Sequence, residues 1–255
     1  MSDLDLQSAA EANSGLSQWQ RVTCTFSAPS KTFADIKRGN RSWWLPFILT
    51  AIVGYLLFTA ITLKIGWGQV AENTLRADAK TEERLANAPA AARERALEYT
   101  QYSIEGGFAA GPVLGLAILA LGSLGLWGTI NFVFGGKAKY GSILAVWFYA
   151  SLPGMIKSLL GTVAIYAGSA PETFNLKTFA PTNLAAFIYP NPLEANKALF
   201  ALTSWLDATT IWMLVLLGIG TAIVAGVKRS SGYMAVFGWW TIFLLISVGW
   251  AAING

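Results

Sequence analysis

Residues 44–63 read WLPFILTAIVGYLLFTAITL, twenty residues without a charge, held between Arg41 and Lys64. A helix of that length rises about 30 Å, the thickness of the hydrocarbon core of a bilayer. The stretch shows no two-residue alternation of the kind a barrel strand carries, and backbone in lipid must satisfy its own hydrogen bonds. It therefore predicts a transmembrane α-helix. Four more stretches follow the same logic. Gly106 to Gly136 is free of charge, with a core from Pro112 to Phe134; Tyr140 to about Ala170 is interrupted by Pro153 and Lys157. Ala208 to Val227 stops at Lys228 and Arg229, and Tyr233 to about Ile253 is the last. The expected fold is all-α: a polytopic membrane protein with five transmembrane helices, an N-terminal interfacial helix and an extramembrane helical hairpin between spans one and two. The expected organisation is an N-terminal arm over 1–43 and a transmembrane domain over 44–255, which includes a helical loop at 64–105 and a Pro/aromatic loop at 171–203.

Composition agrees with that reading. The chain of 255 residues is 54% hydrophobic and 13% charged, about half the usual charge of a water-soluble globule. That composition argues against a soluble enzyme. The sequence has no His, which removes the commonest general base and the commonest metal ligand. Cys24 is the single cysteine, so no internal disulfide can form. No paired acids or Ser-Lys spacing stands in for a catalytic set, and no catalytic residue, cofactor or metal is expected. Nor is nucleic acid, since the basic residues form only short juxtamembrane clusters.

Those clusters orient the chain. Arg21, Lys31, Lys37, Arg38 and Arg41 precede span one, Lys137 and Lys139 join spans two and three, and Lys228 and Arg229 join spans four and five. Five spans put all three segments on one side, and the positive-inside rule makes that side the cytoplasm. The first 18 residues, with Asp3, Asp5 and Glu11, lack the apolar core of a cleavable signal, so span one is expected to direct insertion. The opposing vote is the 64–105 loop, with six Lys and Arg and seven acids; its length weakens that vote. That loop, broken at Asn87 to Pro89, reads as two helices or one broken helix ending at Gly106 and Gly107, either a solvated hairpin or a docking surface for a partner. The 171–203 connection, with Pro171, Pro181, Pro190 and Pro192 among Phe174, Phe179, Phe187 and Tyr189, reads as a cap on the membrane surface.

Ahead of span one, Ser27 or Ala28 can start a short helix with Pro29 in its first turn, Phe33 and Ile36 on one face and Gly39 as its stop. With Phe26, Trp43 and Trp44 these residues form an expected interfacial anchor, its basic end toward anionic headgroups. The run Phe26-x-x-Pro29-x-x-Thr32-Phe33-x-x-Ile36, followed by Trp43, Trp44, Leu45 and Pro46, resembles the start of bacterial members of the Yip family, named for Ypt/Rab-interacting proteins. Lys139, Tyr140 and Gly141 leading to Tyr149, Ala150, Ser151, Leu152 and Pro153 are similar too. The resemblance covers the chain from about residue 20. It implies five spans with a cytoplasmic N-terminus and, for bacterial members, an integral membrane protein of undefined role; the odd span count puts the C-terminus on the outer side, and the expected membrane is the bacterial plasma (inner) membrane. The Asp-x-Tyr-Gly-Pro motif of eukaryotic members, which bind Rab-type GTPases, is absent here.

Inside the spans, Lys157 is the one deep basic residue, and burying it costs at least about 2.5–3.5 kcal/mol unless it is paired or hydrated. It lies 18 residues beyond Lys139, about 27 Å, while Asp207 lies 21 residues before Lys228, about 31 Å. Similar depths predict an intramembrane ion pair between Lys157 and Asp207, with Asn131 or Tyr149 as other partners for the lysine. A structural clamp, a lysine snorkelling to the outer headgroups and a proton- or ion-coupled site are all open at this point. Small residues mark an expected packing seam: Gly111, Gly115, Gly122 and Gly125 in span two, Gly154, Ser158, Gly161 and Gly168 in span three, and Gly218, Ala222 and Gly226 in span four. Spans two, three and four are expected to pack tightly, with one and five more exposed to lipid. Expected partners are the bilayer and other membrane proteins or a second copy. Two functions remain: a non-enzymatic scaffold or accessory subunit, or a small transporter or channel subunit using Lys157, Asp207 and the Pro153 kink.

Overall fold

A computed structural model describes residues 15–189 and 195–254. The acidic N-terminal stretch, Pro190, Pro192, Glu194 and Gly255 lie outside the described residues. Five helical segments are long and apolar enough to cross a membrane: Trp44–Ile65, Gly111–Val133, Tyr140–Tyr166, Ala208–Ala225 and Arg229–Ile253. Among the described residues there is no strand, only one isolated antiparallel bridge, between Asn183 and Asp207.

The arm holds α1 (Gln18–Ser27) and α2 (Pro29–Arg38). α1 starts on a capping box, with Gln20 N–H donating to Ser17 Oγ at 3.2 Å and Ser17 N–H to Gln20 Oε1 at 2.8 Å. α2 has Pro29 at its first position and Gly39, at φ 127°, beyond its last. Span one is α3 (Trp44–Ala60) ending in a π turn, Ile61–Ile65. The loop after it has three helices where two were expected: α4 (Trp67–Arg76), α5 (Ala79–Ala86) and α6 (Ala90–Ala109). The additional break falls at Ala77 and Asp78, and α6 runs through Gly106 and Gly107, since neither takes a left-handed φ.

Span two is α7 (Gly111–Gly128) with a π turn at Thr129–Val133. Span three is two helices, α8 (Tyr140–Ala150) and α9 (Pro153–Tyr166), because Pro153 supplies no N–H. The carbonyls freed there are taken locally: Ser151 Oγ donates to Phe148 O at 2.9 Å and Leu152 N–H to Tyr149 O at 3.3 Å. Within the second connection are α10 (Leu184–Ile188) and α11 (Lys197–Trp205), followed by the span helices α12 (Ala208–Ala225) and α13 (Arg229–Asn254).

The chain divides into two compact units. The first comprises Met1–Ile48, Leu119–Leu152 and Leu214–Val236; the second comprises Leu49–Ile118, Pro153–Met213 and Phe237–Gly255. In the second unit, Leu57, Ile61, Ile65, Trp67, Val70, Ile165 and Phe174 form a core in which both long connections take part. Asn73 Nδ2 ties them together by donating to Pro171 O at 2.8 Å and Phe174 O at 2.9 Å. Phe174 is therefore core, whereas Phe187 is exposed.

The packing seam agrees with the expectation in part: spans three and four are the most buried and span five the least, but span two is not among the buried ones. Buried shares of the spans are 56% for four, 44% for three, 28% for one, 17% for two and 6% for five. Span two is thus more exposed than span one, because a side chain at Gly111 or Gly115 would meet nothing within 4 Å. Gly122 does pack, against Trp147 of span three at 2.6 Å from an added Cβ. Gly154 is open and Gly161 lies under Phe179 of the Pro/aromatic connection rather than against a span. Span four turns its small face toward span five: Gly218 faces Tyr233, and Ala222 faces Gly232. An added Cβ on Gly232 would stand 2.8 Å from Ala222 Cβ and closer still to Gly218 O. Gly232→Ala should therefore cost about 1–3 kcal/mol by overpacking. Gly115→Ala, in open space, should be neutral or stabilising by up to about 1 kcal/mol. Thermal unfolding in detergent compares them, and equal melting temperatures would contradict the seam.

Candidate functional site

Lys157 and Asp207 meet. Lys157 Nζ lies 3.1 Å from Asp207 Oδ2, with side-chain exposures of 23% and 1%. The Lys157 ammonium also sits over the Phe179 ring, 5.4 Å from its centre, a favourable cation–π position. Neither Asn131 nor Tyr149, the other partners weighed for the lysine, takes part: Asn131 exchanges hydrogen bonds with Ala138, and the Tyr149 hydroxyl donates to Ser42 O.

Asp207 has further duties that charge and depth do not reveal. Its Oδ1 accepts from Thr209 N–H at 3.0 Å, Thr210 N–H at 3.1 Å and the Thr209 hydroxyl, so it caps the N-terminus of α12. Its Oδ2 accepts from Thr182 Oγ1 at 2.9 Å besides Lys157. The main chain on either side is bridged, with Leu184 N–H to Leu206 O at 2.9 Å and Ala208 N–H to Thr182 O at 3.0 Å. Both carboxylate oxygens are thus fully engaged. Asp207 just ahead of Thr209 and Thr210 in the first turn of an apolar helix is a legible cap signal; Thr182 carries no such mark.

A second buried charge pair lies in the first unit and is not legible as one. Arg21 and Asp35 are each 1% exposed, with Arg21 Nε 3.7 Å from Asp35 Oδ2. Arg21 Nη1 donates to Asn40 O and Ser42 O, both at 3.0 Å, and the guanidinium lies over Tyr149, 5.2 Å from the ring centre. Asp35 also accepts from Arg38 at 2.9 Å, Asn40 at 3.2 Å and Leu16 N–H at 3.2 Å. Arg21 thus joins the arm to span three, beyond its part in the juxtamembrane charge.

The expected interfacial anchor is corrected by the same packing. Phe33 and Ile36 are fully buried in protein, Phe33 facing Gly220, so α2 turns its apolar side to span four rather than to lipid. Trp43 stacks between Trp44 and Phe148, with ring centres 4.6 Å apart in each case. Phe26 and Trp44 are exposed and Pro29 is half-buried. Two further seam residues serve through their carbonyls, Ser158 accepting from Thr162 Oγ1 at 2.8 Å and Gly125 from Thr129 Oγ1 at 2.9 Å. Outside the spans, Asp78 accepts from Thr81 and from Lys197 Nζ at 3.3 Å. The Thr81 hydroxyl first, and then Lys197, hold its carboxyl below the usual carboxylate range. No group of three or more His, Cys, Asp and Glu that could hold a metal occurs among the described residues.

Five apolar helices, with their one deep lysine paired to a helix-capping aspartate, define a helical integral membrane protein. The family model described as Yip1 domain matches residues 23–251. The chain belongs to the Yip family. No curated protein and no solved structure matches the chain.

Proposed function

We propose that this protein acts by assembly, as a non-enzymatic scaffold, accessory subunit or membrane-organising component of the trafficking type. The observation that carries the reading is the saturation of Asp207. A proton- or ion-coupled carboxylate needs a vacant lone pair facing a path, and this one is shared among two backbone N–H groups, two hydroxyls and Lys157. Its role is then a clamp that fixes where span four begins. The two long connections, folded together through Asn73 and Lys197, supply a contact surface for other membrane proteins or a second copy.

The sidedness we favour places the first unit in a bacterial plasma membrane with the N-terminus in the cytoplasm and the C-terminus outside. Its described residues carry nine Lys and Arg and one acid, Asp35, which supports that orientation. The test is reconstitution of the purified chain in liposomes, alongside its mass in mild detergent. Proton and cation flux should equal that of empty liposomes, and the particle should exceed a monomer. A flux that Asp207→Asn abolishes, carried by a monomer, would establish the transporter reading instead.

A further inference from the structure

Three turns in the first unit end a helix on a glycine in the left-handed region, and each carries cations. Gly39 (φ 127°) lies beside Lys37, Arg38 and Arg41; Gly135 (φ 67°) precedes Lys137 and Lys139; Gly226 (φ 70°) precedes Lys228 and Arg229. These turns are stitched together. Lys137 N–H donates to Ala225 O at 3.0 Å. Lys37 Nζ lies 3.7 Å from where a side chain on Gly226 would begin. Arg229 donates to Ser30 Oγ at 3.3 Å, and Arg41 Nε to Ser142 Oγ at 3.0 Å.

The cations therefore form one patch rather than three separate boundary markers. Lys37, Lys137, Lys139 and Lys228 are exposed, and the unit's single described acid, Asp35, is buried and taken by Arg21 and Arg38. Positive charge gathered this closely needs a counter-charge from outside the protein. Its surroundings say which kind. Phe132 and Val133, the residues leading into the Gly135 turn, are 80% and 72% exposed, and Trp44, just past Arg41, is 58% exposed. A soluble acidic peptide has no use for apolar surface bordering the charge, whereas a lipid has a headgroup for the cations and acyl chains for the aromatics.

We infer that this patch is a binding site for anionic phospholipid headgroups, one that retains such lipid in preference to zwitterionic lipid. The test is native mass spectrometry of the full chain in mild detergent, titrated with phosphatidylglycerol or phosphatidylcholine. The wild type should retain phosphatidylglycerol preferentially. Each Lys or Arg near an anionic surface is worth roughly a fivefold gain in occupancy, so Lys137→Gln, Lys228→Gln and Arg229→Gln together should lower retention at least about tenfold. Arg84→Gln, Arg93→Gln and Arg95→Gln, which remove equal charge from the loop helices, should leave it unchanged. Lys137→Arg, Lys228→Arg and Arg229→Lys should keep the preference, separating charge from a folding defect. Equal retention of the two lipids, or equal losses in both glutamine triples, would overturn the inference. So would polyglutamate binding to the chain in phosphatidylcholine nanodiscs as tightly as phosphatidylglycerol does, which would make the patch a protein-docking surface.

Discussion

Asp207→Asn lowers the melting temperature of the detergent-solubilised protein by roughly 6–12 °C, a loss of about 3 kcal/mol. Asparagine keeps one acceptor and is a good N-cap, so the change isolates the charge rather than the cap. What it strands is Lys157, whose Nζ has Asp207 as its carboxylate partner at 3.1 Å. Breaking a buried pair costs about 3–5 kcal/mol, and the 23% exposure of the lysine side chain places this case at the low end. Lys157→Met costs less, since Asp207 retains its Thr182, Thr209 and Thr210 donors. The double variant Lys157→Met with Asp207→Asn regains most of the loss, because neither charge is then left alone. Glu98→Gln, on an exposed stretch of α6, serves as the reference. A melting temperature for Asp207→Asn equal to that of Glu98→Gln would remove the clamp from the account.

Asp35→Ala acts at the other charge pair and should release the arm while leaving the spans folded. It leaves the Arg21 guanidinium buried without an opposing charge, again at a cost of about 3–5 kcal/mol. The arm is the cheapest segment to open, so the loss emerges as local unfolding of α1 and α2. Trypsin reads this directly, at Lys31, Lys37 and Arg38. A loss of about 3 kcal/mol multiplies the open population roughly a hundredfold, and cleavage follows it when opening is fast. Hydrogen exchange should rise over residues 17–40 and stay unchanged in α12. Unaltered trypsin sensitivity would show that Phe33 and Ile36 alone hold the arm.

The spans were legible because lipid imposes one rule on length and polarity, which residues 44–63 satisfy without any knowledge of neighbours. Lys157 and Asp207 could be brought to a common depth by counting, since an α-helix converts residue number into height. Counting gives no azimuth, and this is why the seam was placed only in part: Gly122 does meet span three, but Gly111 and Gly115 face open space and Gly218 and Ala222 face span five. Gly218 and Ala222 are equally small whichever helix they touch; the short turn at Gly226 gives them span five. The α1 capping box was present in plain view at Ser17 and Gln20 and was missed. Arg21 was hidden by its own type, because a cation near a span reads as a topology marker until Asp35 is found against it. Phe33 and Ile36 show the same ambiguity: an apolar stripe on a short helix suits lipid and protein alike.

The bond from the Tyr149 hydroxyl to Ser42 O joins groups 107 residues apart, and the Arg21 guanidinium rests on that same ring. A ribosome adding about 5–20 residues per second finishes the arm roughly 5–20 s before it reaches the tyrosine. During that interval Arg21 and Asp35 have each other but no ring beneath them. Final docking of the arm must therefore wait for the third hydrophobic segment to leave the translation machinery, and the last-made part of the lock is the one that reports that half of the membrane domain is in place.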